Sequence, residues 1–383
     1  MKVVIAPQAF KGSISALRAA EAMAEGVRRV SPEADTVLVP VADGGDGTLE
    51  TLVEASGGEV RTSEVTGPLG ERRTAVWGAM GDGRTAVIEM ARTSGLALVA
   101  VEDRNPLIAT TYGLGEAMRD ALDAGFRRFI VGIGGSATND AGAGMAQALG
   151  ARLLDAGGAD LPPGGAALAG LDRIDLAGLD VRISDSDVAV ACDVSNPLTG
   201  PEGASAVYGP QKGATPEMVR QLDAALVHLV YVVRRDLGVE IETVPGAGAA
   251  GGLGGGMIGF LGGRLQAGVD IVLSAVGLED RLEGADLVLT GEGSVDYQTV
   301  YNKAPIGVAR LAKARGIPVV AIAGSLGEGY KEVHDHGIDA ALAITSGPMT
   351  LAQASDRAHE LVTDAAEQAM RLMVAGSRVF TSR

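Results

Sequence analysis

KVVIAPQAFKGSISALRAAEAMAEGVRRVSPEADTVLVPVADGGDGT, residues 2–48, runs through one full turn of a parallel α/β sheet. Lys2–Ala6 is a short apolar run closed by Pro7 and reads as a buried strand. Ser13 is placed to cap a helix reaching about Val30, in which Leu17, Ala20, Ala24 and Val27 recur at helical spacing. Thr36–Val41 is a second strand, and Asp43–Thr48 is a tight Gly-rich loop that opens another helix. Strand, helix, strand, helix in this order builds a parallel sheet.

Downstream the style changes and then returns. Residues 59–91 alternate apolar and polar, with turns at Gly67-Pro68, Gly70 and Gly81-Asp82-Gly83, and read as an antiparallel meander. Arg128–Ile133 and Val188–Asp193 are strands, the first running into Gly134-Gly135. Thr215 caps a long helix with Pro216 at its first position, Leu222, Leu226, Leu229 and Val233 on its apolar stripe, and Gly238 at its end. From Asp286 the alternation resumes, with strands at Leu287–Gly291, Val319–Gly324 and Ala340–Thr345 and helices at Pro305–Arg315 and about Ser355–Met373. A chain of 383 residues exceeds one typical core. The expected architecture is therefore two-domain α/β: a doubly wound, flavodoxin-like parallel-sheet domain from residues 1–60 plus 283–383, with a second α/β domain, 61–282, inserted into it.

Bulk chemistry narrows the function. A net charge of −16 repels a phosphate backbone, and 3% aromatic residues leave few stacking platforms, so nucleic acid is not an expected partner. The longest apolar run, Ala224–Val233, contains His228 and falls below the roughly 18 residues a membrane span needs. The apolar start before Pro7 is shorter than the core of a signal peptide. Cys192 is the single cysteine, which suits a reducing cytoplasm. Oligomeric state is left open, a homodimer being one expected assembly.

Gly clusters follow strand after strand: Gly44-Gly45, Gly132–Gly135, Gly246–Gly256 and Gly291–Gly293. Acids or amides stand beside three of them: Asp43 and Asp46, Asn139 and Asp140, Glu292 and Asp296. Such loops offer backbone N–H groups to phosphate oxygens, and carboxylates suit Mg²⁺ bridging those phosphates. With Lys11, Lys212 and Lys303 nearby, phosphoryl transfer is the indicated chemistry, although each loop alone also reads as an ordinary tight turn. No GxxxxGK[ST] occurs, so the P-loop is excluded. The rival is a nicotinamide-dependent dehydrogenase, since Gly246-Ala-Gly248-Ala-Ala-Gly251 fits GxGxxG with Asp270 downstream, and Gly132–Ala137 fits GxGxxA. Against it, Pro245 stands where a strand should feed the turn. Histidines 228, 334, 336 and 359 lie outside the Gly-rich loops, which leaves acid–base work to Asp, Glu or Lys.

Read together, FKGSISA (10–16), PVADGGDGT (40–48), VTGPLGE (65–71), GIGGSATNDAGAGMAQALGA (132–151), ACDVSNPLTG (191–200), GPQKGA (209–214), PGAGAAGGLGGG (245–256), TGEGSVDYQT (290–299) and KAPIGVA (303–309) resemble the bacterial type-1 glycerate kinase family over nearly the whole chain. The resemblance implies a two-domain α/β enzyme with its site in the cleft between domains. It implies transfer of the γ-phosphoryl group of ATP, with Mg²⁺, to a hydroxyl of D-glycerate, commonly O2. It makes Asp43, Asp46 and Glu292 expected Mg²⁺ ligands. Gly44, Gly45, Gly134, Gly135, Gly248, Gly251 and Lys303 become expected nucleotide or phosphate contacts. Lys11, Arg92, Ser136, Thr138, Asn139 and Ser294 are expected at the acceptor. Asp193 is the expected general base with Asp296 its competitor, and Lys212 is expected to stabilise the phosphoryl group in transfer.

Four positions depart from the family's usual pattern. Gln8 stands for an Asp, Ser294 for an Arg, Asn302 for a Gly, and Arg92 for a small residue. Losing one negative and one positive charge together is what a paired Asp and Arg would undergo. Arg92 is then a candidate anion-binding guanidinium, and the acceptor a relative of glycerate such as a C4 sugar acid. A kinase fold that binds without turnover is the remaining reading.

Overall fold

A computed structural model describes residues 1–45, 47–301 and 303–381. Numbered along the chain, the strands are β1 (Lys2–Pro7), β2 (Asp35–Leu38), β3 (Glu59–Thr66), β4 (Arg72–Ala79), β5 (Thr85–Glu89), β6 (Arg128–Gly132), β7 (Arg152–Leu154), β8 (Arg173–Asp175), β9 (Asp187–Ala191), β10 (Arg264–Gln266), β11 (Leu287–Gly291), β12 (Ser294–Val295), β13 (Val319–Ala323), β14 (Ser325–Leu326) and β15 (Ala340–Ala343). The chain divides into two compact units, Met1–Ser56 with Val269–Arg383, and Gly57–Gly268.

The first unit holds a five-stranded sheet in the order β15-β13-β11-β1-β2, every pair parallel. Counted within the unit this is 2-1-3-4-5, the flavodoxin-like order. Val3–Ala6 are wholly buried because helices cover both faces of the sheet, which is why this strand reads as unbroken apolar sequence. The helix Ala16–Val30 lies against the C-terminal helix Ala358–Thr381 so closely that a Cβ on Gly26 would sit 2.3 Å from the Thr363 carbonyl oxygen. Its N-cap is Ser15, whose Oγ accepts from Arg18 N–H at 3.3 Å. Ser13, expected as the cap, belongs to a Phe10–Ile14 turn that delays the helix by two residues, and its Oγ donates to the Ser355 carbonyl.

Residues 269–282 differ from the sequence expectation. They pack in the first unit, where Gly307 lies against Val269 and Leu273, and Arg310 bonds Asp270. The apolar segment VDIVLSAVGL follows β10 after Ala267-Gly268 alone, and one Gly in a chain that holds 56 is too weak a signal to mark a boundary there.

The second unit is built on the sheet β10-β9-β6-β5-β4-β3. β3–β4 and β4–β5 are antiparallel, whereas β5–β6, β6–β9 and β9–β10 are parallel. The helix Pro216–Leu237 is capped by Thr215, whose Oγ1 accepts from Met218 N–H at 3.2 Å, and ends at Gly238 with φ +68°. Among the described residues no helix is long and apolar enough to cross a membrane.

Candidate active site

In the first unit the chain leaves β1 toward β2 but leaves β11 toward β13, so the topological switch falls between the carboxyl ends of β1 and β11. Gln8, Lys11, Glu292, Ser294 and Asp296 all follow those two ends. Glu292 is the buried member. Its Oε1 accepts from Thr299 Oγ1 at 2.9 Å and its Oε2 lies 3.5 Å from Lys303 Nζ. Burial pushes its carboxyl above the ordinary carboxylate range, and the charge of Asp43 adds to that, against the pull of Lys303 and Thr299. Asp43 Oδ1 accepts from Gly45 N–H at 3.3 Å, and Gly44 turns the loop with φ +94°. Asp46 and Asn302 lie outside the described residues. Asp296 commits Oδ1 to Gln298 N–H at 2.8 Å and so serves the 296–299 turn. Ser294 Oγ accepts from Ser325 Oγ at 3.2 Å, Lys11 is exposed, and the side-chain oxygen of Gln8 is buried without a hydrogen-bond partner.

The fit of Mg²⁺ follows from this donor set. Among the described residues no three His, Cys, Asp or Glu side chains gather into a cage. Mg²⁺ asks for less, because it is held by one or two carboxylates together with substrate phosphates. Asp43 and Glu292 feel each other's charge, and Glu292 is desolvated, which is the arrangement a phosphate-bridging cation relieves.

In the second unit the segment after β5 is laced to the loop after β6. Met90 N–H donates to Gly132, Leu96 N–H to Gly135, and Ala137 N–H to Ser94. Gly134 and Gly135 are exposed, and the space beside Gly134 is open. Arg92 bonds Glu89 (Nε to Oε2, 3.0 Å), the buried acid that closes β5. Asp193 is exposed past the end of β9, and its Oδ1 accepts from Gly268 N–H at 3.0 Å. Burial, followed by the charge of Asp193, pushes the Cys192 thiol up, so a thiolate nucleophile has no support.

Beneath the exposed turn the residues change character. Thr138, Asn139 and Asp140 are wholly buried. Asp140 accepts from Thr111 N–H (2.8 Å) and Oγ1 (2.9 Å) and from the N–H groups of Gly142 and Gly144. Burial pushes its carboxyl up against these four donors. Lys212, expected to face a transferred phosphoryl group, is only 1% exposed. Its Nζ donates to Ser136 Oγ at 2.7 Å and to the Thr138 carbonyl at 2.6 Å. Burial lowers it from 10.5 to about 7, with the charge of Asp140 opposing. Asn139 Nδ2 donates to Ser205 Oγ at 3.0 Å, while Thr138 Oγ1 and Asn139 Oδ1 are buried without partners.

The sequence reading passed over Glu89 and Ser205. Glu89 carried the signal used for Asp193, an acid closing an apolar strand, whereas Ser205 carried none.

Gly248 and Gly251 are packing residues in this structure. A Cβ on Gly248 would lie 2.0 Å from the Pro197 carbonyl oxygen, and one on Gly251 2.0 Å from that of Thr138. Gly248 N–H is taken by the Asn196 carbonyl. No strand feeds this segment, and Ala250, Gly251 and Gly252 are left-handed where a dinucleotide site needs regular helix. The GxGxxG match at 246–251 fails as a dinucleotide site on that geometry.

Comparison with known proteins agrees with this chemistry. A sequence model described as Glycerate kinase family matches residues 3–374. The Escherichia coli (strain K12) protein named glycerate 2-kinase is 48% identical over 378 residues, covering 99% of each chain. The glycerate kinase of Bacillus subtilis (strain 168) is 54% identical over 360 residues, covering 94% of each. A crystal structure of a candidate glycerate kinase 2 from Salmonella typhimurium LT2 superposes with a TM-score of 0.91 at 50% identity, covering 99% of each chain. The chain belongs to the glycerate kinase family.

Proposed function

We propose that this protein is an ATP-dependent kinase that transfers the γ-phosphoryl group to a hydroxyl of D-glycerate, O2 being the expected position. The observation that carries the reading is likeness across essentially the full length to proteins named glycerate kinase. Transfer of this kind needs positioning and charge neutralisation more than covalent chemistry, and both units supply groups suited to it.

We assign Asp43 and Glu292, with Asp46 three positions after Asp43, to Mg²⁺, and Lys303 to the phosphates. When bound, Mg²⁺ would supply positive charge to offset that of the nucleotide's phosphates. Gly45, whose N–H is bonded to Asp43 Oδ1, would orient that carboxylate, and Gly44 would offer its backbone N–H to the nucleotide's phosphates. Gly134 and Gly135, with Ser136, would do the same for acceptor or phosphoryl oxygens, and Arg92 would pair with the acceptor's carboxylate. Asp193 would take the proton as the acceptor oxygen bonds to phosphorus and the β–γ bridging bond breaks, ADP leaving. Lys212 is reassigned as a positioning residue, since a buried amino group tied to Ser136 and Thr138 is placed to hold the loop. Lone Cys192 is compatible with a reducing cytoplasm.

The test is direct: purified protein with Mg-ATP and D-glycerate, product position read by phosphorus and carbon NMR. ADP formation that depends on D-glycerate is expected. No turnover with any hydroxy acid in a panel defeats the reading. A related acid as acceptor is a second reading, favoured by Gln8, whose unpaired oxygen is buried at the switch point. It fails if D-glycerate wins the panel by a wide margin in kcat/KM.

A further inference from the structure

A cavity of about 190 Å³ opens in the first unit at the carboxyl ends of β1, β11, β13 and β15. Phe10, Ile344, Met349 and Ala354 give it apolar walls, and Lys11 and Ser325 stand on it as well. Its floor is backbone. Gly293 lies against Phe10 and Lys11, with a Cβ there 3.5 Å from Lys11 N, and a Cβ on Gly324 would meet the Gly293 carbonyl oxygen at 2.3 Å. Ser13 Oγ, bonded to the Ser355 carbonyl, ties one side of the cavity to the other. None of the metal and phosphate groups assigned above lines it, but Gly293 directly follows Glu292.

We infer that this cavity takes the adenine ring and adjoining ribose of ATP, with the phosphates running past Gly293 toward Glu292 and Lys303. The inference rests on the kinase reading above. Size, chemistry and position favour this occupant. Pockets that hold a whole drug-sized ligand run from about 300 to 1,000 Å³. This one suits a single planar ring system and leaves the triphosphate outside. Apolar walls stabilise an uncharged base, whereas a small carboxylic acid would give up its hydration there for one lysine. Hydroxyls of Ser325, Thr345 and Thr350 can pair with ring nitrogens and ribose oxygens without imposing charge. In open parallel sheets ligands bind outside the carboxyl ends of the strands, and this cavity begins next to the β1/β11 switch and extends along the β13 and β15 ends.

Two measurements test it. The first is steady-state kinetics of Ala354→Phe, which fills the cavity. KM for ATP should rise about tenfold or more, with KM for D-glycerate within about twofold of the wild type. A folded variant with unchanged KM for ATP overturns the inference, as does one in which the acid's KM rises instead. The second uses the unaltered full chain, so folding of the variant does not matter: photolabelling with 8-azido-ATP and peptide mapping. Label on residues 10–13 or 344–355, competed by ADP, is the expected result, and label confined elsewhere overturns it. Label at these residues in a protein that phosphorylates no hydroxy acid keeps the nucleotide site and removes the kinase reading. Turnover with label elsewhere does the reverse.

Discussion

Lys212→Met isolates what burial does to one proton. Methionine fills similar volume without the charge. In the native protein Lys212 titrates at about 7, against 10.5 for the free side chain. Between those values the unfolded chain binds the proton and the native protein does not, so unfolding takes one up and wild-type stability rises with pH. Below about pH 6 both states hold the proton and the slope disappears. A full proton over the two units from pH 7 to 9 would contribute about 3 kcal/mol. Counting the half-titrated state at pH 7, about 2 kcal/mol remains. The absolute difference at one pH is less informative. Relief of charge burial is opposed by loss of the bonds to Ser136 and Thr138, whose unpaired acceptors cost about 1–3 kcal/mol each. Urea unfolding of both proteins at pH 6, 7, 8 and 9 measures the slope directly, because ionisations remote from residue 212 cancel in the difference. Parallel stability profiles from pH 7 to 9 would show that Lys212 keeps its proton in the fold, and the argument from burial would be refuted.

Other outcomes follow from the same geometry. Gly251→Ala must hold φ near +72° with its Cβ 2.0 Å from the Thr138 carbonyl, and should cost at least about 3 kcal/mol in urea melts. Gly238→Ala, with φ +68° but open space, should cost about 1 kcal/mol; equal costs would contradict the close approach. Glu292→Gln should raise the Mg²⁺ concentration needed for half-maximal rate and remove the acid limb of the rate profile. In the wild type that limb should lie above ordinary carboxylate values, because burial raises Glu292 and activity needs it ionised. Asp193→Asn should lower kcat by roughly 100-fold or more with little change in KM for ATP, read by coupled ADP release. A variant that keeps its kcat would remove Asp193 as the base.

Much of the fold was legible because the determining signals are local. The buried strand Lys2–Pro7, the Thr215-Pro216 start and the Gly238 stop each depend on residues within one turn of themselves. The 2-1-3-4-5 order was legible at one remove, since similar strands at both ends of a long chain imply one discontinuous sheet. The β10 junction was not, because VDIVLSAVGL is equally apolar whichever unit it packs in. The site divided along a different line. Glu292 and Lys303 lie eleven positions apart in motifs of similar look to the one that holds Lys212, yet Lys303 reaches an acid while Lys212 lies beneath a loop. The difference is made by residues distant in sequence, Ser136 and Thr138, whose approach no spacing rule encodes. The same holds for Gly248 and Gly251, whose missing side chains admit carbonyls from Pro197 and Thr138, whereas the glycines at 134 and 135 leave backbone open to solvent. A motif therefore states which residues a site requires. Whether each one meets the ligand, or holds another residue that does, depends on contacts made only when the chain folds.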